Sequence, residues 1–111
     1  MSNLVRGLVE FERGNYAGAF TLLMPIASAG EAEAQCLIAN MYQLGLGVEP
    51  NILTAIEWYK QSASRGYGVA ANNLGEIFLA GEDGISVDRI QAAFWLKKAI
   101  EQGFTHTRRL E

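Results

Sequence analysis

Residue types able to do chemistry are few in this chain, and they are scattered. His106 is the only histidine, close to the carboxyl end, with no acid–base partner beside it in sequence. Cys36 is the only cysteine. A thiol nucleophile needs a base and an electropositive setting, and neither can be named for it, so ordinary packing is the reading. One cysteine also excludes an intrachain disulfide framework and a Cys-rich zinc site. The carboxylate pairs Glu31/Glu33 and Glu82/Asp83 suggest acid catalysis or a cation site, but they fall at a helix start and in a loop, where solvated charge is the simpler account. Gly45-x-Gly47 is too short for a phosphate loop and no Lys-Ser/Thr follows it. Trp58 and Trp95 would suit ligand stacking. They occupy matching places in two copies of one pattern, however, which assigns them to core packing between helices. No nucleophile, base or metal cluster assembles. The expectation is a non-enzymatic protein with no cofactor.

Composition narrows the partners. The chain has 111 residues, half of them hydrophobic, and a net charge of −3. That length suits one small domain. Non-specific nucleic-acid binding needs a dense basic footprint, which this balance lacks. Its basic pairs, Lys97–Lys98 and Arg108–Arg109, are local. The opening MSNLVRGLVEFERG is broken by charges at Arg6, Glu10, Glu12 and Arg13, unlike a signal peptide. The most apolar stretch, from Ala17 to Ala29, contains Gly18, Thr21, Pro25 and Ser28 and falls short of a membrane span of ~20 residues. A soluble, cytoplasmic protein without membrane contact is expected.

What must position any functional residue is an internal repeat. NILTAIEWYKQSASRG, from Asn51, and DRIQAAFWLKKAIEQG, from Asp88, stand 37 positions apart. Ala55/Ala92, Trp58/Trp95, Lys60/Lys97 and Gly66/Gly103 coincide. Upstream, Ala34, Ile38, Ala39, Met41, Tyr42 and Gly45 precede Ala70, Leu74, Gly75, Ile77, Phe78 and Gly81 by 36. One residue inserted around Asp83 accounts for the drift. A third, degenerate copy begins the chain, with Phe11 in the place of Tyr42 and Phe78 and a shorter loop before Asn15.

Each copy reads as two helices. Ile52, Ala55, Ile56, Tyr59 and Ala63 make one apolar helical face. Asn15, Asn51 and Asp88 stand at N-caps, and Asp88 with Gln91 fits a capping box. Gly30, Gly66 and Gly103 stop the second helices, and Gly45 and Gly81 the first ones, through left-handed backbone. Small residues one turn before each aromatic allow close helix approach. Pro25 falls inside a predicted helix over 16–29, where a kink rather than a break is expected. Such pairs cannot bury their apolar faces alone, so each copy is its neighbour's hydrophobic partner. The fold class is therefore all-α: an α/α solenoid of about three hairpins, about 3–30, 31–66 and 67–103 with a tail 104–111, in a single domain spanning 1–111.

Several of these residues agree at one period. They are Ile38–Ala39 and Leu74–Gly75, Tyr42 and Phe78, the Gly45-x-Gly47-Val48 loop, the caps Asn51 and Asp88, Ala55-x-x-Trp58, Ala92-x-x-Trp95, and the closing Gly66 and Gly103. In these the chain resembles the Sel1-like repeat family, relatives of the tetratricopeptide repeats. A period of 36–37, against ~34 for plain tetratricopeptide units, favours the Sel1-like branch. The resemblance implies a right-handed solenoid and an adaptor or scaffold role, with a partner protein or peptide held on a concave surface lined by first helices. Projected onto that surface, the non-core positions are Cys36, Asn40 and Gln43 in one repeat and Asn72, Glu76 and Leu79 in the next. Asn40, Gln43, Asn72, Glu76 and Leu79 are the candidate partner-binding residues, since amides both donate and accept and can hold a peptide backbone. As surface residues, Asn40 and Asn72 should be replaceable by alanine with little effect on folding. The alternative is a structural module that self-associates weakly through apolar ends of the solenoid.

Overall fold

The structure, a computed structural model, describes residues 1–107. The Arg108–Arg109 pair and the end of the expected tail lie outside the described residues. Six helices follow one another: α1 (Asn3–Glu12), α2 (Tyr16–Ser28), α3 (Ala32–Leu44), α4 (Ile52–Ser64), α5 (Gly68–Ala80) and α6 (Arg89–Glu101). Among the described residues there is no strand. Packing is closest within the pairs α1/α2, α3/α4 and α5/α6, and α2 against α3 and α4 against α5 join the pairs into a row. The result is the all-α repeat solenoid that the periodicity implies.

Local chemistry sets the helix boundaries. Asn15, Asn51 and Asp88 each accept a hydrogen bond from the backbone N–H three residues on, at 3.1, 3.1 and 3.0 Å, satisfying donors that a helix start leaves orphaned. Glu31 does the same for α3. Its carboxylate accepts from the N–H groups of Glu33 and Ala34 at 3.0 and 2.9 Å, so this acid is a cap rather than a solvated charge. The capping box at Asp88 closes only on one side. The Gln91 amide donates to the Asp88 carboxylate at 3.4 Å, because the Asp88 N–H already donates to the Phe78 carbonyl at 2.8 Å. Asn51 N–H makes the equivalent bond to Tyr42, at 2.7 Å. The aromatic residue's carbonyl thus ties the end of each first helix to the start of the second.

Gly47 shows why the loop needs glycine. Its φ is +73°, and a Cβ there would stand 2.8 Å from the Tyr16 carbonyl carbon. The loop after α3 therefore folds down onto the start of α2, in the preceding hairpin. Pro25 lies inside α2, and the helix runs through it unbroken.

The core is built from small and large residues in register. Leu23 and Leu96 are buried, each against a glycine of its own pair's first helix. A Cβ at Gly7 would meet Leu23 at 2.5 Å, and one at Gly75 would meet Leu96 at 2.6 Å. In the middle hairpin the corresponding residue is Tyr59, which is fully buried. Sequence reading gave this role to the tryptophans. Trp58 and Trp95 are instead half-buried at the edge of the core. One residue is 100° of helix turn, enough to move position 58 off the face formed by Ala55, Ile56, Tyr59 and Ala63. Polar side chains stitch neighbouring hairpins. Gln35 donates to the Ala27 carbonyl at 3.1 Å, and Gln102 donates at 2.9 Å to Ala63, the equivalent residue one repeat on. Within the middle hairpin, Ser62 donates to the Ala32 carbonyl at 2.7 Å.

The outward side of the last hairpin differs from that of the middle one. Ile52 and Ile56 on α4 are buried, whereas Arg89 and Ala93, at the same places on α6, are exposed. The side of α6 that carries Arg89 and Ala93 is thus less apolar than the repeat pattern alone implies.

Candidate functional site on the first helices

Tyr59 organises the face of α3 and α5. It descends from α4, and its buried ring brings the hydroxyl to α3, where its one proton is shared between the Asn40 side-chain oxygen and Gln43 Oε1, the latter at 2.7 Å. The Gln43 amide nitrogen then donates to Glu82 Oε1 at 2.8 Å, in the loop after α5. From α5 itself, Asn73 Nδ2 lies 3.5 Å from Asn40 Oδ1 and 4.0 Å from Cys36 Sγ. One polar row therefore crosses two repeats: Cys36, Asn40 and Gln43 on α3, Asn73 on α5, and Glu82 beyond it. Every member except buried Cys36 is half-buried.

Burial decides the protonation of this row. It pushes the Tyr59 phenol well above its usual range, Cys36 and Glu82 add to the shift, and the Asn73 side chain opposes it. Burial first, and Glu33 second, push the Cys36 thiol up to about 12. Both groups are neutral near pH 7. An un-ionised thiol is a poor nucleophile, so Cys36 packs here. Among the described residues no three His, Cys, Asp or Glu side chains come together as a metal site. His106 is exposed, with its ring 6.1 Å from that of Phe104.

The five residues projected onto this face divide into two groups. Asn40 and Gln43 are half-buried and turned toward Tyr59, so their side-chain oxygens are already used. This corrects the expectation that Asn40 is a dispensable surface amide, because it is a partner of a buried hydroxyl. Asn72, Glu76 and Leu79 are half-buried on α5. Asn72 Oδ1 is buried and accepts no hydrogen bond, and Leu79 packs against the core. The residue of α5 that reaches α3 is Asn73, one position from the one projected. Glu82, read as solvated, is held by Gln43. A signal for Tyr59 was present: a hydroxyl at a position filled by Leu23 and Leu96 in the other hairpins needs a polar partner when buried.

Comparison with known proteins places this arrangement. The family model described as Sel1 repeat matches residues 32–67 and 68–104. No curated protein gives a significant match. A crystal structure of a Sel1 repeat protein from Oxalobacter formigenes is similar over 92% of this chain, at 36% identity and a TM-score of 0.82. A protective antigen of uropathogenic Escherichia coli strains that displays an SLR fold is similar over 79%, at 31% identity and a TM-score of 0.75. The chain spans 40% and 19% of the lengths of those two proteins. Two matched repeats cover more than half of the sequence, and the caps, loops and small–large core pairs repeat at the same interval: the chain belongs to the Sel1 repeat family.

Proposed function

We propose that this chain is a protein-interaction module that holds a partner peptide or protein on the concave groove lined by α3 and α5. The observation that carries the reading is the polar row itself. Asn40, Gln43 and Asn73 are fixed by Tyr59, Glu82 and one another before any partner arrives. Side chains already ordered lose less entropy on binding. Beside them on α5, half-buried Asn72 and Leu79 complete the face, Leu79 supplying apolar surface. Glu33, Glu76 and Glu82 give this side an acidic character that suits a basic or donor-bearing ligand. Sel1 repeats are commonly interaction modules and a non-catalytic scaffold family, which supports the same reading. Among the described residues no helix is long and apolar enough to cross a membrane, and a single unpaired cysteine fits a reducing, cytoplasmic setting.

The test is a pull-down with the chain, followed by affinity measurement on the partner obtained. Asn72→Ala with Leu79→Ala leaves the Tyr59 row intact and should weaken binding at least tenfold, about 1.4 kcal/mol. Unchanged affinity with an unchanged fold moves the site elsewhere. Self-association through the ends is the competing reading. Exposed Arg89 and Ala93, where the preceding repeat buries isoleucines, make that side of α6 a poorer stacking surface for a second copy, and sizing at two concentrations separates the two.

A further inference from the structure

We propose that the outer face of α6 is a second docking surface, for an acidic amphipathic helix of a partner protein. Ile90 and Phe94 are 85% and 58% exposed, and Val87, just before the helix, is 57% exposed. The four-residue spacing of Ile90 and Phe94 sets them along one side of α6, as in an amphipathic stripe. Lys97 and Lys98 follow in the next turn, and with Phe94 and Glu101 they line a shallow hollow. Neither lysine takes part in an ion pair among the described residues. The Phe94 ring stands edge-on to Trp95, with centroids 4.9 Å apart at 88°, so the anchor is held in place.

This exposure is not an effect of standing at the end of the row. Leu53 occupies the place of Ile90 on α4 and is 64% exposed, although α4 has a hairpin on each side. A further hairpin after α6 would therefore leave Ile90 uncovered. At the place of Phe94, α4 has Glu57, also exposed. The last hairpin has an aromatic residue where its neighbour has a charge.

Charge selects the occupant. An apolar pair followed by two lysines fits a helix whose apolar residues are followed by carboxylates, the helix-on-groove mode of recognition. A membrane surface fits less well, because an extended anionic plane meets the charge of the whole chain, which is −3, whereas a single helix meets the two lysines locally.

A phage-displayed library of randomised amphipathic helices, selected on the full chain, tests this. Expected are enriched sequences rich in Glu or Asp beside Leu or Phe, which lose at least tenfold in affinity on Ile90→Ser with Phe94→Ser and again on Lys97→Glu with Lys98→Glu. Asn72→Ala with Leu79→Ala should leave them bound. All of these positions but Asn72 and Leu79 lie on the outer face, and an unchanged melting curve confirms that the variants fold. Failure to enrich, enrichment of basic helices, or binding indifferent to Ile90 and Phe94 would overturn the proposal. So would sedimentation of the chain with phosphatidylserine vesicles that depends on those two residues, which would make the face a membrane contact.

Discussion

The Tyr59 hydroxyl donates to the side-chain oxygen of Asn40, joining the second helix of the middle hairpin to the first at a buried point. Stability and the proposed groove therefore share a residue. Tyr59→Phe removes the donor from both Asn40 and Gln43, and should cost about 1–2 kcal/mol, the usual cost of leaving partly buried acceptors unmatched. Tyr59→Ala adds a cavity and should cost about 3–5 kcal/mol. Trp58→Ala should cost clearly less than Tyr59→Ala, because Trp58 is half-buried. Urea unfolding monitored by helical circular dichroism ranks the three, and Trp58→Ala ranking worst would contradict this account of the core.

Glycine substitutions separate backbone strain from crowding. Gly47 and Gly66 both have positive φ, but only Gly47 faces another backbone, that of Tyr16. Alanine at Gly66 should cost about 1 kcal/mol, the left-handed penalty alone. Alanine at Gly47 should cost at least about 1 kcal/mol more, since the loop must lift from α2. Equal losses in urea titrations would show that the loop does not rest on the preceding hairpin as described.

Alkaline pH should destabilise the fold in a way traceable to Cys36. Its thiol is pushed up to about 12 from 9.0. The stability linked to it is complete below pH 9 and falls as pH rises, because the unfolded chain releases a proton that the folded chain retains. The loss per pH unit approaches about 1.4 kcal/mol above pH 9. Tyr59, shifted in the same direction, adds to the fall above pH 10. Thermal unfolding between pH 8 and 10.5 should show the decline, and Cys36→Ala should flatten its first part. An identical profile for Cys36→Ala would contradict the burial of the thiol.

Much of the architecture was legible because it depends on local signals that recur. Asn51 and Asp88 mark helix starts through side-chain capping, Gly45 and Gly66 mark stops through positive φ, and the 36–37-residue interval joins them into hairpins. The site was less legible because side-chain direction within a helix turns on single residues. Asn72 and Asn73 are adjacent, and only packing shows that Asn73 reaches α3. Asn40 looked free because its partner, Tyr59, is 19 residues away on another helix. Trp58 looked central because repeat identity marks a shared position without saying which face it occupies.

The central claim is that a partner sits on the face formed by α3 and α5. Backbone amide chemical shifts of the chain, recorded with and without the partner obtained by pull-down, test it most directly. The account predicts the largest changes at Asn40, Gln43, Asn72, Asn73, Glu76 and Leu79, with the Glu82 loop following through its link to Gln43. Changes confined to Leu53, Ile90, Phe94 and Lys97, with the α3 and α5 face silent, would contradict it.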